Sequence, residues 1–247
     1  EAAVSAVLVT GGSRGIGRAV VEALSASAEG DSPTVGFTWC AQEEAARALE
    51  EACGGRARAF HLDLRDRSRP DDLVAEVEAA LGPLAGLVNN AGVRRESLLA
   101  LMSDDAWDEV IDTNLSGLFR CCRSVLRGMM VRRRGAIVNV ASLSALHGVT
   151  GQSAYAASKA GILGLTRTLA REAGRRGVRV NAVIPGFVAT DLTADVPPQA
   201  IEKLRAGECL EGGVSAAAVA DAIVFLLSPR AAAITGQALV VDAGASA

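Results

Sequence analysis

Tyr155 and Lys159 stand four residues apart in the stretch 153–173, whose apolar pattern predicts a long helix. That spacing puts both side chains on one helix face. A phenol ordinarily ionises near pH 10, and a neighbouring ammonium favours the phenolate and lowers that value. A drop of about two to three pH units would bring Tyr155 into the working range of general acid–base catalysis. The chain has a single tyrosine, so no other phenol competes for the role. Ser142 follows a predicted strand, where its hydroxyl could hold a carbonyl oxygen that gains negative charge, or simply cap a turn. Asn114, in Thr113-Asn114-Leu115, is a polar amide in a predicted helix. It calls for a buried partner, such as a water leading to Lys159, or for a purely structural bond.

A second group of residues suits a nucleotide. Thr10-Gly11-Gly12-Ser13-Arg14-Gly15-Ile16-Gly17 follows the first predicted strand and opens the first helix. Glycines there let backbone approach a pyrophosphate, and the helix start offers free N–H groups and a positive dipole end. The spacing is Gly-x-x-x-Gly-x-Gly rather than Gly-x-Gly-x-x-Gly. A carboxylate about 20 residues further on would bind a ribose 2′-hydroxyl. The window Phe37-Thr38-Trp39-Cys40-Ala41-Gln42 holds none, which leaves room for a 2′-phosphate with Arg14 as its fork donor. This points to NADPH, with use of NADH left open. Asp63-Leu64 and Asn89-Asn90-Ala91-Gly92 end predicted strands, where ligands of open α/β sheets lie. Asp63 could equally cap a turn and Asn90 brace two loops.

These residues need a frame that brings strand ends together. Short apolar runs predict strands at 7–9, 34–39, 57–62, 84–89, 136–141, 178–184 and 238–242. Between them, amphipathic stretches predict helices at 15–25, 42–53, 70–81, 153–173 and 216–227, with one or two helices in 103–133. Pro70 sits well in a first turn, and Ser103-Asp104-Asp105 is a cap signal. Strands alternating with such helices imply a single α/β domain over 1–247, a doubly wound, Rossmann-like parallel sheet. The polar stretch 25–33 reads as a loop. The stretch 190–213, with Pro197-Pro198, reads as a lid or binding loop of little regular structure.

Composition agrees with this frame and excludes other classes. Of 247 residues, 50% are hydrophobic but only 3% aromatic, so the core is built of small and branched side chains that suit a buried parallel sheet. A net charge of -3 gives no global attraction to nucleic acid or membrane. No apolar run approaches the length of a membrane span, and residues 2–10 lack the flank of a signal peptide. Cys40, Cys53, Cys121, Cys122 and Cys209 have no metal-ligand spacing. Their odd number fits reduced thiols in a cytoplasmic protein.

The ordered set Thr10 to Gly17, Asp63, Asn89 to Gly92, Asn114, Ser142, Tyr155/Lys159 and Pro185-Gly186 resembles the short-chain dehydrogenase/reductase family over nearly the whole chain. The resemblance implies an Asn114-Ser142-Tyr155-Lys159 tetrad. Tyr155 would protonate a carbonyl, Lys159 would lower the phenol pKa and hold the nicotinamide ribose, and Asn114 would keep a relay water. It also implies cofactor contacts from Gly11, Ser13, Arg14, Gly15, Ile16, Gly17, Asp63, Leu64, Asn90, Ala91, Gly92, Pro185, Gly186, Val188 and Thr190.

Within the family, Gly151-Gln152-Ser153-Ala154-Tyr155 and Pro185-Gly186-Phe187-Val188-Ala189-Thr190-Asp191 are most similar to the 3-oxoacyl-[acyl-carrier-protein] reductases. That likeness implies an acyl carrier protein as partner, docked near the active-site mouth by Arg133 and Arg176. A local basic patch on a mildly acidic chain suits such a partner, and solvated charges at helix ends are the plain alternative. It also implies a homotetramer paired through the long helices and the C-terminal strand. Glu208-Cys209-Leu210-Glu211-Gly212-Gly213 departs from the Gly-Arg-x-Gly-like turn usual in the family. A polyketide or antibiotic-pathway ketoreductase, a reductase of free small ketones, quinones or steroids, and a non-catalytic nucleotide-binding subunit therefore stand as alternatives.

Overall fold

A computed structural model describes residues 6–26 and 33–247. Most of the loop expected at 25–33 lies outside the described residues. The elements run β1 (Ala6–Thr10), α1 (Gly15–Ala26), β2 (Thr34–Trp39), α2 (Glu43–Ala52), β3 (Ala57–His61), α3 (Arg69–Leu81) and β4 (Leu84–Asn89). They continue with α4 (Asp104–Ile111), α5 (Leu118–Arg132), β5 (Gly135–Val140), α6 (Ser153–Ala173), β6 (Val178–Pro185), α7 (Pro198–Arg205), α8 (Ala216–Leu227) and β7 (Ala238–Val241).

Seven parallel strands form one sheet in the order β3-β2-β1-β4-β5-β6-β7. The order reverses between β1 and β4, where Val9 pairs with Val88 and Thr10 with Asn89. Loops leaving these two strands diverge to opposite sides and open a crevice at their carboxyl ends. The central strands are mostly apolar because both faces are covered, and their buried amides are paired, Asn89 Nδ2 donating to Asn139 Oδ1 at 2.9 Å. Ala6 and Leu8 face one core layer with Leu87, Ile137, Met129 and Ile162, beneath α3, α5 and α6. Val7 and Val9 face the other with Phe37, Val88, Val138 and Ile223, beneath α1, α2 and α8.

One region differs from the sequence reading, and a second takes the two-helix form of its reading. The stretch 190–213 is more regular than expected: a 3-10 turn, Asp191–Thr193, precedes α7. Pro197-Pro198 opens that helix rather than breaking the chain, since a proline at the first helical position forgoes a donor that has no intrahelical partner there. The stretch 103–133 divides into α4 and α5 around a π-helical turn, Asp112–Gly117, with Asn114 buried in it. Ser103 caps α4 as its position predicts, accepting from the Ala106 N–H at 3.2 Å.

Candidate active site

The crevice between the β1 and β4 loops encloses about 350 Å³. Its walls include Gly11 and Ser13 to Ile16, Trp39 to Gln42, Asp63, Asn90 to Gly92 and Thr190. The glycine turn is held from two sides. From β2, the Thr38 carbonyl accepts from Gly12 N–H at 2.9 Å and its hydroxyl accepts from Gly11 N–H at 3.1 Å. From β4, Asn90 Nδ2 donates to the carbonyls of Thr10 and Gly11 at 3.1 and 3.0 Å. Asn90 thus braces two loops. Gly17 permits this close approach: a Cβ there would stand 2.2 Å from the Gly11 carbonyl oxygen.

A dinucleotide fits these residues. The α1 terminus presents free N–H groups beside a turn without side-chain bulk. A Cβ on Gly15 would reach toward Thr190 across the crevice, at 3.2 Å. No carboxylate lies in the wall formed by Trp39 to Gln42. Arg14 reaches Asp191 at 3.4 Å, and both side chains are exposed. Asp63 lines the wall but is engaged by Arg65, through its N–H at 2.9 Å and its guanidinium at 3.0 Å. The Arg65 guanidinium is the main reason that the Asp63 carboxyl sits below its ordinary range. Leu64, Ala91 and Gly92 complete that side. Pro185 closes β6, Gly186 N–H is tied to Val241 at 2.9 Å and Val188 is buried beneath Thr190.

The other four expected residues do not line the crevice but gather behind Gly92, where an added Cβ would stand 3.1 Å from Asn114 Oδ1 and 3.7 Å from Lys159 Nζ. Ser142 leaves β5 in extended conformation and accepts from the Ser144 N–H at 3.2 Å. Tyr155, in the first turn of α6, is buried beside the Ser142 hydroxyl. Burial pushes the phenol above its ordinary value, opposed by the nearby Ser142 hydroxyl and by the charge of Arg94. Lys159 is buried one turn on, its Nζ 5.6 Å from the centre of the tyrosine ring. It donates to the Val140 carbonyl at 2.9 Å, and burial lowers its pKa to about 8. The geometry therefore corrects one expectation: burial outweighs nearby cations at Tyr155, and the cation that lowers its pKa is Arg94. Asn114 is bound on both sides of its amide, accepting from Val93 N–H at 2.8 Å and donating to the Val93 carbonyl at 2.9 Å. Its Nδ2 also reaches Ser158 Oγ at 3.3 Å.

Four polar residues in a chain that leads away from Ser142 were missed from sequence: Ser144, Gln152, Glu96 and Arg94. Ser144 Oγ donates to Gln152 Oε1 at 2.8 Å, and Gln152 Nε2 donates to Glu96 at 2.7 Å. Arg94, almost buried, pairs with Glu96 and with Asp195. Gln152 lies in the motif already quoted, so its position was available. Arg94 had no such signal.

Arg133 and Arg176 do come together, but away from the mouth. Arg133 Nη2 donates to the Arg175 carbonyl at 3.1 Å. Arg133 lies just before β5 and Arg176 just before β6, so both sit at the amino ends of strands whose carboxyl ends lead to Ser142 and to the Pro185–Thr190 segment. The expectation that these residues flank the mouth fails within one chain. Beside them, Phe119, Leu126, Met130, Val131, Leu165 and Leu169 line an apolar groove between α5 and α6.

All five cysteines are free, and burial drives the Cys121 thiol up to about 12, which makes it inert packing. Among the described residues, no cluster of three or more His, Cys, Asp or Glu could hold a metal, and no helix is long and apolar enough to cross a membrane.

With this geometry in place, comparison with known proteins is informative. A family model described as enoyl-(acyl carrier protein) reductase matches residues 11–246. The 3-oxoacyl-[acyl-carrier-protein] reductase FabG of Vibrio harveyi is 40% identical over 241 residues, covering 96% of this chain and 95% of that one. Its counterpart in Escherichia coli K12 is 39% identical with the same coverage. That of Staphylococcus epidermidis is 39% identical over 246 residues, covering 96% and 97%. The chain belongs to the short-chain dehydrogenase/reductase family. It is an oxidoreductase of the 3-oxoacyl-[acyl-carrier-protein] reductase-like kind, and its family implies a nicotinamide cofactor.

Proposed function

We propose that the protein uses NADPH to reduce a β-ketoacyl thioester, carried on acyl carrier protein, to the β-hydroxyacyl form. When bound, the nicotinamide supplies a hydride to the carbonyl carbon. Tyr155 gives its phenolic proton to the carbonyl oxygen, so the C=O bond becomes an alcohol with charge balanced. Ser142 donates a hydrogen bond to that oxygen as negative charge grows on it, an interaction strongest in the transition state. Lys159 holds the nicotinamide ribose and returns a proton toward Tyr155. Because the Asn114 amide is spent on Val93 and Ser158, its part in the relay falls to its main-chain carbonyl. That carbonyl lies in a π-helical turn, a form of helix frequent at functional sites. Arg14 leaves Asp191 to take the 2′-phosphate, as a guanidinium fork suits a phosphate better than a single exposed carboxylate.

The observation that carries this reading is the buried Tyr155 beside Ser142 with Lys159 one turn away, the Lys159 ammonium standing next to Gly92, a wall residue of the crevice that suits a pyrophosphate. The names of the similar proteins support the substrate class. Leu98, Leu99, Leu146 and Val149 are exposed apolar side chains in two segments joined by the Ser97 N–H to Gly151 carbonyl bond, a rim suited to an acyl chain.

A carrier docked at Arg133 and Arg176 is at the wrong end of the sheet for its own chain's crevice. The groove between α5 and α6 suits a second copy running antiparallel, which would bring the patch to the neighbour's crevice and serve as one interface of a homotetramer. Assay of Tyr155→Phe tests the central claim. The variant should bind NADPH normally and lose about 10²- to 10⁴-fold in turnover of acetoacetyl-carrier, and near-full activity would refute the mechanism. The wild type should prefer acetoacetyl-carrier over free ketones, and NADPH over NADH at matched concentrations.

A further inference from the structure

The segment that follows β6 is fastened across the crevice by two aspartates one helical turn apart in sequence. Asp191 meets Arg14 on the glycine turn, an exposed pair of small energetic weight. Asp195 meets Arg94, and this pair is different in kind. The Arg94 side chain is only 9% exposed while that of Asp195 is 72% exposed. A guanidinium taken from water is destabilising unless its donors are matched, so Arg94 has much to lose from an absent partner. Its Nη1 lies 3.2 Å from Glu96 Oε1. That same oxygen accepts from Gln152 Nε2 at 2.7 Å, Gln152 Oε1 accepts from Ser144 Oγ at 2.8 Å, and Ser144 Oγ lies 3.4 Å from Ser142 Oγ. One continuous polar chain thus runs from the α7 segment to the hydroxyl beside Tyr155.

We propose that Arg94 is a positioning residue: its ion pair with Asp195 fastens the segment 191–205 over the chemical end of the crevice, and its ion pair with Glu96 aligns Gln152 and Ser144 behind Ser142. The role assigned to Ser142 and Tyr155 in carbonyl reduction is the reading on which this rests. Arg94 touches no reacting atom in this arrangement, so it acts through Asp195 on the seating of the substrate and through Gln152 and Ser144 on the setting of Ser142. Substrate enters beneath a segment held shut by one buried cation, and release of Asp195 opens that side.

Four variants test this: Arg94→Gln, Arg94→Lys, Asp195→Asn, and Arg94→Gln combined with Asp195→Asn. Two readouts are compared, KM and kcat for an acetoacetyl thioester with NADPH, and amide hydrogen exchange over 191–205 without substrate. Asp195→Asn should raise KM about tenfold with kcat nearly unchanged, Arg94→Gln should raise KM as much and also lower kcat, and both should quicken exchange in 191–205 about tenfold or more. The double variant should be no worse than Arg94→Gln, since both changes break one contact. Arg94→Lys should recover part of the loss. Unchanged exchange and KM in Asp195→Asn, or strictly additive effects, would overturn the proposal. Asp195 is exposed, so that variant folds even if Arg94→Gln does not. The exchange readout needs no turnover: wild-type inactivity toward the thioester with a responsive segment would sink the substrate reading and leave the fastening intact.

Discussion

The Lys159 ammonium lies 5.6 Å from the centre of the Tyr155 ring, yet its hydrogen bond goes to the Val140 carbonyl, 2.9 Å away. No carboxylate pairs with it among the described residues. The group is therefore held by geometry against its solvation preference, ready for a ligand's hydroxyls or a water, and burial alone brings its pKa to about 8. A site arranged this way sacrifices stability for function.

The first prediction follows from that cost. The unfolded chain keeps the lysine proton up to its ordinary pKa of 10.5, whereas the folded chain releases it near 8. Below pH 8 the folded state bears the full penalty, about 3 kcal/mol, and above 10.5 it bears none. Lys159→Met forfeits the bond to Val140, worth about 1 kcal/mol. It should still stabilise the unliganded protein by about 1–2 kcal/mol at pH 7, with the gain gone near pH 10.5, as urea unfolding at the two pH values will show. Activity should be lost at both.

The pH profile of reduction is the second. Burial keeps the Tyr155 phenol protonated well beyond neutrality, so the proton donor is present throughout the physiological range. The first group to change is Lys159, near pH 8. Reduction, followed as kcat/KM to report the free enzyme, should be flat below pH 8 and fall above it. Oxidation of the β-hydroxyacyl product needs the phenolate and should rise with pH instead.

Gly17→Ala should remove cofactor binding. The added methyl would meet the Gly11 carbonyl oxygen at 2.2 Å and Asn90 Nδ2 at 2.5 Å, both parts of the braced turn. Overpacking of this kind costs about 1–3 kcal/mol, read as a lower melting temperature. Fluorescence titration should show NADPH affinity lost by more than this stability change explains.

Charge reversal at the basic patch separates docking from chemistry. Arg133→Glu with Arg176→Glu should reduce kcat/KM for the carrier-bound substrate about tenfold or more and lessen its salt dependence. Rates with a small acetoacetyl thioester should stay within about twofold, as the patch lies at the far end of β5 and β6.

Much of this architecture was legible in the chain because its chemistry is local. Tyr155 and Lys159 share a helix face by spacing alone, and the glycine turn is contiguous with the strand and helix that it joins. Pro197-Pro198 was misread as irregular, although a proline pair can equally open a helix. The site of Arg133 and Arg176 was readable and overlooked: residues just ahead of a parallel strand lie opposite the ligand end. Arg94 was not readable. Its partner Asp195 is 101 positions away, and only the return of the chain after β6 brings them together. The pKa of Tyr155 was unreadable for a similar reason, since the spacing shows its cation but not how much packing covers it.

The strand order has a consequence for biogenesis. β3, β2, β1 and β4 are adjacent in the sheet and all lie within residues 6–89. A growing polypeptide can therefore assemble the nucleotide-binding half while the later half is still being translated. Ser142, Tyr155 and Lys159 come with the second half, as β5 and β6 add outward from an edge already formed. An early-bound nucleotide would then act as a template on the ribosome, and truncated nascent chains ending just beyond β4 would be the place to look for it.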